Sequence, residues 1–253
     1  MTALLAVIGL IFLSLPLIAL IIRAIQGGVP DLSASGIPQA LLLSFVSTLA
    51  TVILTVIVGT PIGYLLARSN FRFKRLISVF IELPIVLPPA VAGLALLIAY
   101  GRRGLIGGML ADIGITLPFT IYAVIMAQTF VAAPFYIRAA QIGFAGVPRE
   151  IEEAARVDGA SGWTLFRWIT VPIVFHALAA GLILSWARAL GEFGATILFA
   201  GSLQGRTQTM PLLIYNVIER NLNAAIWTGV ILIALAALAL FVSSWLTRQR
   251  EQD

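Results

Sequence analysis

The chain has 253 residues, of which 60% are apolar and only 11% charged, with a formal net charge of +5. Soluble domains carry about 25% charged residues, so this composition and a mean hydropathy of +1.03 exclude an ordinary water-soluble domain. The absence of cysteine excludes disulfides, thiol catalysis and cysteine-ligated metals. The sixteen Lys and Arg are spread between apolar runs rather than gathered in a tail or an aromatic-interleaved patch, which argues against a nucleic-acid partner and for a lipid bilayer.

Six apolar segments follow one another near residues 3–22, 40–67, 80–100, 119–140, 171–193 and 224–247. Each is close to the ~20 residues that cross a hydrocarbon core. All are expected as helices, because a lipid-exposed backbone must satisfy its own hydrogen bonds, and none shows the short alternating strands of a barrel. The chain reads as one all-α transmembrane domain, 1–253, with about six spans. The first segment has no basic start and no clear small-x-small cleavage site, so it reads as a permanent span rather than a signal peptide.

The second segment carries Gly59-Thr-Pro-Ile-Gly63, two glycines four apart around a proline. That spacing lets two helices approach closely. The third opens with Glu82-Leu-Pro84 and Leu87-Pro-Pro89; proline removes a backbone donor and kinks a helix, so Pro84, Pro88 and Pro89 mark either plain packing or a kinked helix beside a pore. Gly101, Gly104, Gly107 and Gly108 follow, with neither the preceding strand nor the Lys-Ser/Thr of a phosphate-binding loop. Pro134 lies within the fourth segment.

Between spans four and five, residues 147–170 form a charged stretch longer than the 2–8 residues usual between bundled helices. Pro148 suits a first helical position, and Glu150, Glu152 and Glu153 are expected in the first turn, where carboxylates favour the helix dipole. Gly159 suits a left-handed stop and Ser161 a cap for a second helix, on which Trp163 and Phe166 share a face. Small residues at Ala154, Ala155, Gly159 and Ala160 leave a surface that another protein can approach closely.

In the fifth span Arg188 and Glu192 are four apart and can pair on one face. Ionisable groups at this depth usually face the bundle interior or water, so two readings stand: a structural ion pair, or a positive group offered to a passing anion. Gly191 and Gly194 suggest a helix break that exposes backbone donors. The segment 201–211, with Gln204, Arg206, Thr207, Gln208 and Thr209, reads mainly as a polar loop, and His176 as a satisfied helix-end histidine. Loop charge sets the orientation. Ten Lys and Arg (Arg68, Arg72, Lys74, Arg75, Arg138, Arg149, Arg156, Arg167, Arg248 and Arg250) face five on the other side (Arg23, Arg102, Arg103, Arg206 and Arg220). Basic loops stay inside, so both termini and the 147–170 loop are expected in the cytoplasm.

Glu153-Ala-Ala-Arg-Val-Asp-Gly159 followed by Ile169-Thr-Val-Pro172 resembles the signature loop of ABC transporter permease subunits. The one departure is Val171, where that family commonly has leucine. Arg188-Ala-Leu-Gly-Glu-Phe-Gly-Ala-Thr196 and Phe199-Ala-Gly-Ser-Leu-Gln-Gly-Arg-Thr-Gln-Thr-Met-Pro211 are similar to the molybdate branch, with sulfate, thiosulfate and tungstate permeases close by. The resemblance covers roughly residues 40–247. It implies the type I importer fold, an inner-membrane location in a bacterium or archaeon, and import of a tetrahedral oxyanion. It also implies an ATPase-docking surface made of Glu152, Glu153, Ala154, Ala155, Asp158, Gly159 and Ala160. Arg188, Glu192, Pro88 and Pro89 are candidates for the translocation path. The expected partners are ABC ATPase subunits that hold ATP and magnesium, a second permease copy, and an extracytoplasmic oxyanion-binding protein; no cofactor is expected on this chain. An ion-coupled carrier or intramembrane enzyme is the rival reading, but one histidine, no cysteine and no paired carboxylates within spans leave little for catalysis.

Overall fold

The computed structural model describes residues 2–31 and 35–248, and among them the chain is helical with no strand. Five helical stretches are long and apolar enough to cross a bilayer unaided: α1 (Thr2–Gly27), α2 (Ile37–Arg68), α6 (Ile121–Ala145), the continuous run Gly162–Leu190, and the Leu222–Val242 part of α12 (Leu222–Arg248). Arg250 lies outside the described residues.

The third expected span is broken. It consists of α3 (Lys74–Val86) and α4 (Pro89–Tyr100), bent by 117° about Leu87-Pro88. At 1.5 Å per residue each limb is roughly 20 Å long, short of the ~30 Å hydrocarbon core. Leu87 and Pro88 are both extended, with ψ of 135° and 133°; a residue preceding proline is pushed out of the helical region, and here two prolines follow in a row. Of the two readings of Pro84, Pro88 and Pro89, the structure therefore shows the kinked helix, as a sharply bent pair. The short helix α5 (Gly107–Asp112) comes next. The glycines between fold back over the end of α4, where Leu105 and Ile106 donate to the carbonyls of Ile98 and Ala99 at 3.0 and 2.9 Å.

Helix α6 is the axis of the bundle, flanked by α2 on one side and α9 (Val171–Leu190) on the other. The packing is close because small residues meet. A Cβ placed on Gly59 would stand 2.8 Å from the Tyr136 ring, and one on Gly63 would stand 2.7 Å from the Ala140 Cβ, as the glycine spacing led one to expect. The buried face of α2 continues towards its N-terminal end as Ser44, Ser47, Thr48, Thr51 and Thr55. This hydroxyl stripe ties helices together. Thr51 donates to Gln128 of α6 at 3.1 Å, Thr60 and Tyr136 bond at 2.7 Å, and Trp186 of α9 donates to Thr48 at 3.1 Å. Ser44 accepts from the Met210 backbone at the start of α11 (Met210–Val217) at 2.9 Å. Without a hydrophobic drive between helices in lipid, such bonds and small-residue contacts hold the bundle together, at about 0.6 kcal/mol per bond on average.

Candidate functional site

The stretch expected to face a partner begins where α6 ends. Pro148 is extended, with φ −59° and ψ 134°, and caps α7 (Arg149–Val157) rather than entering it. This shifts the expected first turn by one residue: it holds Glu150 and Glu152, while Glu153 falls beyond it. The helix stops as its sequence suggests. Gly159 takes φ +92°, its N–H bonds the Arg156 carbonyl at 3.0 Å, and the Ala160 N–H bonds Ala155 at 2.9 Å. This paired closure is the Schellman motif, which needs a left-handed residue at that position. Ser161 precedes α8 (Gly162–Leu165), but its side chain makes no capping bond. The second helix is not a separate element: it runs through a five-residue π-helical segment, Phe166–Thr170, into α9. Trp163 and Phe166 stack 5.5 Å apart, and Phe166 joins Tyr64 and Phe144 in an aromatic cluster.

The seven residues expected to face a partner divide. Glu153, Ala154, Asp158 and Gly159 are exposed, and Ala155 and Ala160 are half-buried. Glu152 is a correction: it is only 6% exposed and points into the protein. Its carboxylate lies 2.8 Å from the Arg68 guanidinium and accepts a bond from the Thr170 hydroxyl at 3.1 Å. Burying a carboxylate is costly unless it is paired and hydrogen-bonded, and Arg68, at the last turn of α2, supplies the pair. An exposed apolar residue lies outside those seven. Val157, at the tip of α7, is 87% exposed, an apolar side chain standing free beside the exposed glutamate-alanine face; its place just before the glycine stop was the available signal.

A second polar site lies at the far end of α9. Arg188 and Glu192 pair at 2.7 Å, with the Glu192 side chain 1% exposed and that of Arg188 29% exposed. The expected helix break is present: α9 ends at Leu190 and α10 (Gly194–Phe199) resumes after Gly191. The other carboxylate oxygen of Glu192 accepts the Ala195 N–H at 2.8 Å, so that backbone donor, expected to be free for an anion, is already taken. Gly194 is pressed against Pro89, where a Cβ would stand 2.5 Å from the proline Cβ. The structure thus pairs Arg188 with Glu192 and sets Gly194, two residues further on, against Pro89, with Pro88 exposed at the adjoining break.

The polar segment after α10 departs from a plain loop: Thr207, Gln208 and Thr209 are buried, and the Thr207 hydroxyl accepts from the Leu203 N–H at 2.9 Å. Glu82 pairs with Arg138 at 3.4 Å on an exposed surface. His176 is half-buried, and among the described residues no group of three or more His, Cys, Asp or Glu gathers where a metal could be held.

A family described as the binding-protein-dependent transport system inner membrane component matches residues 59–252. The chain is 40% identical over 234 residues to the molybdenum transport system permease protein ModB of Mycobacterium tuberculosis, covering 92% of this chain and 89% of that one. It is 38% identical over 213 residues to ModB of Escherichia coli, covering 83% and 93% of the two chains. Among solved structures, a bacterial ABC transporter that imports the acidic polysaccharide alginate superposes with a TM-score of 0.68 at 19% identity, over 99% of this chain and 94% of that one. The structural likeness carries the fold, and the sequence match spans the docking stretch and the Arg188 site alike. The chain belongs to the family of binding-protein-dependent transport system inner membrane components, as a multi-pass permease subunit of an ABC importer.

Proposed function

We propose that this permease imports molybdate. The observation that carries the reading is the 40% identity to a molybdenum permease over nearly the whole chain. Two copies pair around a common path, and each docks one ATP-hydrolysing subunit through Glu153, Ala154, Val157, Asp158 and Gly159, with Ala155 and Ala160 beneath. ATP and magnesium stay on that partner. An extracytoplasmic binding protein delivers the oxyanion from outside. The ten-to-five excess of Lys and Arg on the side of the 147–170 loop supports a cytoplasmic docking face and cytoplasmic termini. Arg188 supplies positive potential at the path, and Glu192, held on two sides, fixes its guanidinium. Closure of the ATPase pair moves the docking helices and opens the path outward.

The test is to purify the chain from its native membrane under mild detergent and assay the complex with its binding protein. The reading expects an ATP-binding subunit to co-purify and its ATP hydrolysis to rise with molybdate. A preparation with no ATPase partner, or hydrolysis that responds to sulfate and not to molybdate, overturns it.

A further inference from the structure

The docking helix α7 has one buried side chain, and it is a carboxylate, Glu152. A surface helix ordinarily anchors itself through an apolar stripe; α7 has none, and its main helix neighbours are the short α8 and the π-helical segment. A single atom, Oε1 of Glu152, instead receives the Arg68 guanidinium at 2.8 Å and the Thr170 hydroxyl at 3.1 Å. The same guanidinium nitrogen donates to the Val147 carbonyl at 3.2 Å. Four elements meet there: the end of α2, the exit of α6, the docking helix, and the segment that starts α9.

We propose that Arg68, Glu152 and Thr170 form a transmission clamp, three positioning residues that turn displacement of the docking helix into movement of α2 and α9 together. The proposal rests on the ATPase-docking reading of α7. Its physical basis is the stiffness of a buried, multiply bonded ion pair, which cannot slip without leaving an uncompensated charge inside the protein. The ties are also well placed. Thr170 leads directly into α9, whose far end carries Arg188 about 27 Å away at 1.5 Å per residue, and Arg68 ends the helix whose Gly59 and Gly63 lie flush on α6. The π-helical turn beside the clamp is a form found mostly as single turns within α-helices, frequently at functional sites.

The chain has no cysteine, so a cysteine pair is unambiguous. The full complex, with its ATPase and binding protein, is reconstituted in proteoliposomes carrying Arg68→Cys with Glu152→Cys, and anion uptake per ATP hydrolysed is measured before and after a short bifunctional thiol reagent. Arg68→Lys and Thr170→Val serve as milder variants should the cysteine pair fail to assemble. With the clamp open, ATPase subunits still co-purify and hydrolyse ATP, but uptake per ATP falls at least tenfold; the reagent restores it on the same protein, and Arg68→Lys retains most of it. Full coupling with the pair unlinked, or no recovery on linking, overturns the clamp. Loss of the ATPase from the unaltered chain would instead overturn the docking reading.

Discussion

Moving one methyl group across the α2–α6 interface tests how tightly the bundle is built. In Gly63→Ala the new Cβ would stand 2.7 Å from the Cβ of Ala140, and 3.2 Å from both the Gln141 nitrogen and the Ile137 carbonyl oxygen. Carbon atoms settle at about 3.5–4.0 Å, so the helices must part by roughly 1 Å, and neither a methyl on a backbone nor the backbone itself can swing aside. Overpacking of this kind costs about 1–3 kcal/mol. Against it stands a gain of about 1 kcal/mol, since alanine is the better helix former. With three close contacts on rigid atoms the upper part of the range applies, leaving a net loss of about 1–2 kcal/mol, or roughly a five- to thirtyfold rise in the unfolded fraction. Adding Ala140→Gly returns the displaced volume and cancels the propensity difference, so the double variant should lie near the parent. The assay is equilibrium or thermal unfolding of parent, both singles and the double in one detergent, read as a double-mutant cycle. A Gly63→Ala protein as stable as the parent, or a double no better than the single, refutes the packing argument.

Replacing Arg188 with Gln should reduce molybdate uptake at least tenfold while ATPase subunits still co-purify, because the proposed docking surface lies at the other end of α9; unchanged uptake by an assembled variant contradicts a role at the path. Ala154→Trp places a large ring on an exposed position of α7, where this chain has room for it and a seated partner does not. It should leave the permease folded, as judged by its unfolding midpoint, and abolish co-purification of the ATPase; retention of the ATPase would move the docking contact elsewhere.

The parts of this molecule governed by local rules were legible in the sequence. Apolar length gave the spans, Gly159 gave the turn that ends α7, and the glycines of 59–63 gave the close approach to α6. Pairings between distant residues were not. Arg68 reads only as a loop charge and Glu152 only as a first-turn carboxylate on a docking surface, because their contact joins positions 84 apart, and no spacing rule acts over that distance. The hydroxyl stripe of α2 was overlooked for a related reason: serine and threonine in an apolar helix signal nothing until their partners on α6 and α9 are known. Thr207, Gln208 and Thr209 were misjudged because polarity was taken for exposure. The double proline marked the break in the third span, but its 117° angle depends on how α4 packs against α10.

As proposed, this chain forms an ATP-driven route for molybdate, coupled through α7. Its most direct test is uptake of labelled molybdate into proteoliposomes holding the permease, its ATPase and its binding protein, with sulfate and tungstate as competitors. Such a route gives uptake that requires hydrolysable ATP, persists when ion gradients are collapsed by ionophores, and is lost with Ala154→Trp. Uptake that proceeds without ATP and stops when the gradients are collapsed would contradict it.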